Sequence, residues 1–372
     1  MKILYSCLSK SWGGMEMVAI TGIKQLLKRS IEVELLCVDE SRLQIEANNL
    51  GIIIHSLKSD VAFNPFQILK TTAIIRSGNF NLIHSHASKD LWFLAPALNI
   101  LKNNLPLVFT KHVGSFIKKK DLLHNKLYNR VNIAIAISSI IKKNLIDTTS
   151  LISEKIKVIF NGVDINKFNP ASADKNKLRN ELGLSEKDLL IGMTGRFSPG
   201  KGHEEFLGAA NKLNDKFSNL KFIIVGEASR GEDEYAKKVK QFATNLNLTN
   251  VYFIGYRSDI PDVLAAMDIF VFPSHAEAFG LSLVEAMAMN KPSVCSGSDG
   301  ILDIAVDFET SLLFKAKSAA DLEEKLTILI SNRDLQTKFG SAARKIVIEK
   351  FDLEKVTDDI MNLYSNLIKG TM

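Results

Sequence analysis

The chain has 372 residues, 46% hydrophobic and 24% charged, with a formal net charge of +6. That length suits two domains, each able to bury a core without disulfide or metal staples, and the composition excludes a disordered or fibrous chain. The charge is uneven: residues 1–170 carry 22 Lys and Arg against 12 Asp and Glu, and the remainder 25 against 29, so an anionic membrane surface is an expected partner of the first half and nucleic acid is not.

Taken in chain order, residues 2–8 predict a strand and 17–28 an amphipathic helix. Strands follow at 33–38, up to 84, at 105–110 and at 133–137. Such alternation implies a parallel, doubly wound sheet. The polar stretch from Phe160-Asn161-Gly162 through Pro170 to about Asn180 reads as an interdomain connection. Alternation then restarts, with strands at 189–193, 220–225, 251–254, 269–272 and 293–295. Helices are expected at 203–217, 235–246, 260–266, 319–332, 335–350 and 353–368. The expected domains are residues 1–165, joined by a closing segment 353–372, and residues 166–352, with a ligand cleft between them.

Cys7, Cys37 and Cys295 are odd in number and far apart, which suits reduced core thiols in a cytoplasmic protein. The first eight residues lead directly into a strand without signal-peptide features, and no apolar run reaches the ~18 residues of a membrane span.

The strongest motif is Glu277 and Glu285, eight positions apart in Pro273-Ser-His-Ala-Glu277-Ala-Phe-Gly280-Leu-Ser-Leu-Val-Glu285. It follows a buried strand and runs into a helix at about 282–289. Ligands of open α/β sheets bind at that edge, and a helix amino terminus favours phosphate. Glu285 can accept hydrogen bonds from a ribose diol, and Glu277, further out, can meet what is attached to the phosphates. Gly195-Arg196-Phe-Ser-Pro-Gly200-Lys201-Gly202 also joins strand to helix. It fails as a P-loop, because Gly202 stands where a magnesium-binding Ser or Thr belongs. Its two cations, Arg196 and Lys201, can still hold a diphosphate and neutralise charge as it leaves.

Ser11-Trp12-Gly13-Gly14 lets backbone approach an anion or sugar after the first strand. Four of the seven histidines, His84, His86, His112 and His124, fall in or near strand ends of the basic half. Phe116-Ile-Lys118-Lys119-Lys120 combines apolar and cationic residues, as an interfacial segment does. The sequence has no Asp-x-Asp, no zinc spacing and no G-x-S-x-G elbow.

In this order the pieces resemble the retaining family 4 glycosyltransferases of the GT-B fold, over nearly the whole chain. The set comprises Gly13-Gly14, His112 in Thr-Lys-His, Asn161-Gly-Val-Asp164 with Phe168 and Pro170, and Gly195-Arg196 with Lys201-Gly202. Gly226-Glu227, Gly255 with Asp259, and the two glutamates complete it. The resemblance implies that Glu285 binds the ribose of a nucleotide diphosphate and Glu277 the donor sugar. It implies that Arg196 and Lys201 hold the diphosphate, and that Phe279, Gly280, Leu281 and Ser282 lie along phosphate and sugar. Tyr256 through Ile260 would flank the base, Gly14 would approach phosphate or sugar, and His112 would hydrogen-bond the donor sugar. Asn161 would sit near the hinge. Many relatives have Gly or Pro where this chain has Ala278, and alanine disfavours positive φ.

The expected activity is metal-independent, retaining transfer of a hexose-type sugar from a nucleotide-diphosphate sugar. The acceptor is a glycan or lipid-linked glycan of lipopolysaccharide core or cell-surface polysaccharide. No cofactor is expected beyond the nucleotide-sugar co-substrate. Catalysis would fall to Arg196, Lys201, Glu277 and His112, with Lys118, Lys119 and Lys120 at the acceptor or membrane surface and the protein peripheral on the inner membrane face. The alternative is a nucleotide-sugar epimerase or hydrolase on the same fold.

Overall fold

The computed structural model describes residues 1–58, 64–229 and 231–370. Residues 371 and 372, at the end of the expected closing segment, lie outside the described residues. The chain forms two compact units: residues 1–161 with 354–372, and residues 162–353.

The first unit is built on β1 (Lys2–Cys7), β2 (Glu32–Val38), β3 (Ile54–Leu57), β4 (Leu82–Ser85), β5 (Leu107–Lys111), β6 (Ile133–Ala136) and β7 (Ile156–Val158). All pairs are parallel, in the order β3-β2-β1-β4-β5-β6-β7. The second unit repeats the plan with β8 (Leu189–Thr194), β9 (Leu220–Val225), β10 (Val251–Ile254), β11 (Ile269–Phe272), β12 (Ser293–Ser296) and β13 (Ser311–Phe314). Its order is β10-β9-β8-β11-β12-β13, again parallel. Central strands such as β11, buried along its whole length, read as continuous apolar runs because helices cover both sheet faces. The strand order reverses direction between β1 and β4, and again between β8 and β11. These are the two switch points at which a doubly wound sheet opens a crevice at its carboxyl edge.

The structure departs from the sequence expectations at several boundaries. The first helix runs Gly14–Lys28, three residues earlier than expected, because the Glu16 carboxylate accepts a 2.9 Å hydrogen bond from the Gly13 N–H and caps the turn. The supposed connection contains a helix, Lys175–Glu181, capped by Asp174 accepting from the N–H groups of Asn176 and Lys177. Only Leu178 of its residues is buried, so polar composition hid it. The unit boundary falls at 161/162 rather than 165/166: Val163 N–H donates to Phe351 O and Leu353 N–H to Val163 O, which ties Val163 to the second unit. The helix expected over 335–350 ends as an α-helix at Ile346 and closes with a π turn, Val347–Phe351. The wider turn buries both Val347 and Phe351. The three cysteines are free and buried.

Candidate active site

In the second unit, the turn after β8 and the loop after β11 meet at the switch point. Gly200 and Gly202 both have positive φ, +85° and +79°. At Gly202 a Cβ would stand 2.2 Å from the Pro273 carbonyl oxygen, so glycine is what lets the two segments touch. His275 N–H donates to Gly200 O at 2.8 Å and stitches them together. The His275 imidazole lies 2.9 Å from the Glu205 carboxylate, at the start of helix His203–Asn214. Lys201 Nζ donates to the Glu277 carboxylate, joining the cation of one segment to the acid of the other.

Above this pair the helix Leu281–Ala288 begins. Its cap, Gly280, has φ +117° and no side chain to satisfy the helix start. The N–H groups of Leu281 and Ser282 accordingly point out of the first turn, where an anion gains most. A cavity of about 100 Å³ lies here, lined by Thr194, Gly195, Lys201, Glu277, Gly280, Leu281 and Ser282 among others. Among the described residues of the 277–282 loop, only Gly280 takes positive φ; Ala278 does not, so the alanine costs the loop nothing. Phe279 is buried with its ring 5.7 Å from that of Phe351, which anchors the loop from beneath.

Other expected residues lie around this centre rather than in the cavity lining. Arg196 is exposed and donates to Ser229 Oγ at 2.9 Å. Glu285 is half-buried one turn further into the helix. Burial pushes its carboxyl up to about 7 against the pull of the Lys167 charge. Tyr256 is exposed after β10, and Ile260 opens the helix Ile260–Ala266. Their segment is braced by Arg257, which donates to Asp259 and Glu181. Those bonds hold the Asp259 carboxyl well below the usual range.

In the first unit, Gly14 opens the first helix, and a Cβ there would meet nothing within 4 Å. His112 is buried just past β5. Burial and the nearby Lys111 charge lower its pKa to about 3. Lys118 and Lys120 are exposed and Lys119 half-buried. His124 sits apart, 2.5 Å from the Asp121 carboxylate of its own helix cap. The sequence alone did not single out Thr194, Ser274 or Lys167. Thr194 and Ser274 line the cavity, and Lys167 acts on Glu285, yet none belongs to a charged or glycine pattern.

Two parallel-sheet α/β units, one with a cationic turn beside an uncapped helix start, have the architecture of the GT-B glycosyltransferase class. The family model "Glycosyl transferases group 1" matches residues 174–346, and "Glycosyltransferase Family 4" matches residues 12–167. The N,N'-diacetylbacillosaminyl-diphospho-undecaprenol alpha-1,3-N-acetylgalactosaminyltransferase of Campylobacter jejuni is 28% identical, over 94% of both chains. A glycosyltransferase structure from Rickettsia africae superposes with TM-score 0.90 at 25% identity, covering 99% of this chain and 98% of its own. Anabaena HepE in complex with UDP and glucose gives TM-score 0.83 at 26% identity, over 98% and 99% of the two chains. The chain belongs to the group 1, family 4 glycosyltransferases.

Proposed function

We propose that this enzyme transfers a hexose-type sugar from a UDP-sugar to a lipid-linked glycan acceptor, with retention at the anomeric carbon and without a metal ion. The observation that carries the reading is the meeting of Lys201, Glu277 and the uncapped start of helix Leu281–Ala288 around one cavity. A diphosphate placed there meets Lys201 and the Leu281 and Ser282 N–H groups, with Arg196 at the rim. These fixed dipoles and charges favour the charge that develops on the leaving group. Glu285 receives the ribose hydroxyls, Glu277 addresses the sugar once Lys201 turns to phosphate, His112 hydrogen-bonds the donor sugar, and Gly14 approaches phosphate or sugar. Tyr256 through Ile260 flank the base.

The bond from C1 to the phosphate oxygen breaks as the acceptor oxygen bonds C1 on the same face. The acceptor's proton passes to the leaving phosphate oxygen, so no enzymic nucleophile is needed. UDP is favoured by the Anabaena complex, and a lipid-linked acceptor by the named activity of the Campylobacter relative. An epimerase or hydrolase finds no support among these relatives. Thermal denaturation with UDP-, GDP- and ADP-sugars tests the donor assignment. A donor at a hundred times its Kd adds about 2.7 kcal/mol of stability. UDP-sugars are expected to raise Tm and release UDP faster when acceptor is present; no shift with any nucleotide sugar would overturn the reading.

The acceptor side predicts an anionic membrane contact. Phe116 and Leu122 are fully or largely exposed, as is Ile117, beside Lys118 and Lys120. Apolar residues at the headgroup boundary flanked by lysines suit an interfacial contact, each surface lysine adding about 1 kcal/mol. Counting the two exposed lysines, Lys118→Ala with Lys120→Ala should weaken binding to phosphatidylglycerol vesicles by about 30-fold at low salt. Phosphatidylcholine vesicles should show little binding. Unchanged sedimentation with vesicles would remove this surface from the acceptor side. Among the described residues no helix is long and apolar enough to cross a membrane.

A further inference from the structure

A buried polar cluster lies at the carboxyl edge of the first unit's sheet, beside the switch point of β1 and β4. His84 uses both ring nitrogens: Nδ1 lies 2.5 Å from Tyr364 Oη, and Nε2 lies 2.7 Å from Thr110 Oγ1. Tyr364 Oη is in turn 3.2 Å from Tyr5 Oη. The His86 ring stands 4.3 Å from that of His84 and stacks 5.3 Å from that of His112. His86 Nδ1 lies 3.0 Å from His112 Nε2. His86 Nε2 is sealed from solvent and has no hydrogen-bond partner. His112 Nδ1 has no hydrogen-bond partner among the described residues and is not one of the sealed atoms.

Burial holds both rings neutral, with the His86 pKa driven well below its ordinary value. Each ring therefore carries one proton, and only two arrangements make the bond between them. Either His86 Nδ1–H donates to His112 Nε2, or His112 Nε2–H donates to His86 Nδ1. The second puts the remaining proton of His86 on its sealed Nε2, as a buried N–H with no acceptor. The first leaves a bare ring nitrogen there instead. Orphaned buried N–H groups are the rarer outcome in folded proteins. The hydrogen bond made by one ring nitrogen decides which nitrogen keeps the proton.

We propose that His86 is a positioning residue that locks His112 in its Nδ1–H tautomer, making His112 an obligate hydrogen-bond donor to an oxygen of the bound sugar. The inference rests on the reading of His112 as a sugar contact. The neighbouring His84, satisfied at both nitrogens, packs its ring 4.3 Å from that of His86 and gives His86 Nε2 no hydrogen bond.

Nitrogen NMR of the full chain labelled at histidine tests the tautomer directly. Both His86 and His112 are expected to carry their proton on Nδ1 at neutral pH; a proton on His112 Nε2 would overturn the proposal. Kinetics give a second test. His86→Asn places an amide where Nδ1 was and keeps a donor to His112, whereas His86→Leu fills the space without one. The leucine variant should raise KM for the UDP-sugar about five- to tenfold, the worth of one net hydrogen bond, with its Tm near wild type. The asparagine variant should recover most of that loss. If leucine serves as well as asparagine, His86 only fills space and the proposal fails. His112→Ala with unchanged donor KM would instead remove the sugar contact, leaving the NMR result standing.

Discussion

Alanine in place of Lys201 is expected to lower kcat by about 10²–10³, the cost of removing one preorganised donor aimed at developing charge. In the ligand-free enzyme the Lys201 ammonium is engaged by Glu277. That pair, with side chains 27% and 16% exposed, lies at the cavity edge and is worth about 1–2 kcal/mol to stability, so Tm should fall by only a few degrees. The loss must therefore fall on turnover. A diphosphate that displaces Glu277 from Lys201 gains a buried-edge cation and at the same time frees the carboxylate for the sugar. Lys201→Ala should accordingly weaken UDP binding, while Glu277→Ala should leave UDP binding intact or strengthen it and still reduce turnover. Lys201→Arg should not rescue, because a planar fork cannot replace a compact ammonium in a cavity of about 100 Å³. Less than a tenfold drop in kcat for a folded Lys201→Ala protein would dislodge Lys201 from the diphosphate.

How far Lys201 was legible in the sequence depends on what glycine conveys. Gly200 and Gly202 around a lysine, after an apolar run and before a helical one, already place a cation at a strand's carboxyl end. The structure adds why glycine stands there: Gly202 passes under the Pro273 carbonyl, a contact between segments some 70 residues apart that no local pattern reveals. The same limit explains the Lys201–Glu277 pair and the role of Lys167 near Glu285. Both are long-range electrostatic facts. Periodicity found the central strands, because β8, β9 and β11 are almost wholly buried and read as predominantly apolar runs. It missed β3, β7 and β13, edge strands of only three or four residues, and the helix Lys175–Glu181, which has one buried side chain. The histidine stack shows the opposite case. His84, His86 and His112 were visible as residues at strand ends, but their pairing exists only because β4 and β5 are neighbours in the sheet.

Glutamine at Glu285 should separate stability from donor binding through pH. The Glu285 carboxyl is pushed up to about 7 from an ordinary 4.5 by burial, with only the Lys167 charge opposing. Because the folded chain binds this proton more tightly than the unfolded chain, the proton stabilises the fold at low pH. Stability is lost as pH rises between about 4.5 and 7. Glu285→Gln removes that penalty. It should match wild type near pH 4.5 and exceed it at pH 8 by about 2 kcal/mol, after discounting partial exposure. Donor binding should move the other way. A ribose diol donates its hydroxyls to a carboxylate, and the ionised form accepts them best. For the wild type, affinity for UDP-glucose, whose diphosphate does not titrate in this range, should rise with pH up to about 7 and level off above it. Glu285→Gln should bind more weakly at pH 8 and show no such rise, because its amide carries one acceptor and no charge. Calorimetric titration from pH 5.5 to 8.5 checks both curves. A wild-type affinity that falls with pH across this window would mean that the protonated acid meets the ligand, and would take the ribose away from Glu285.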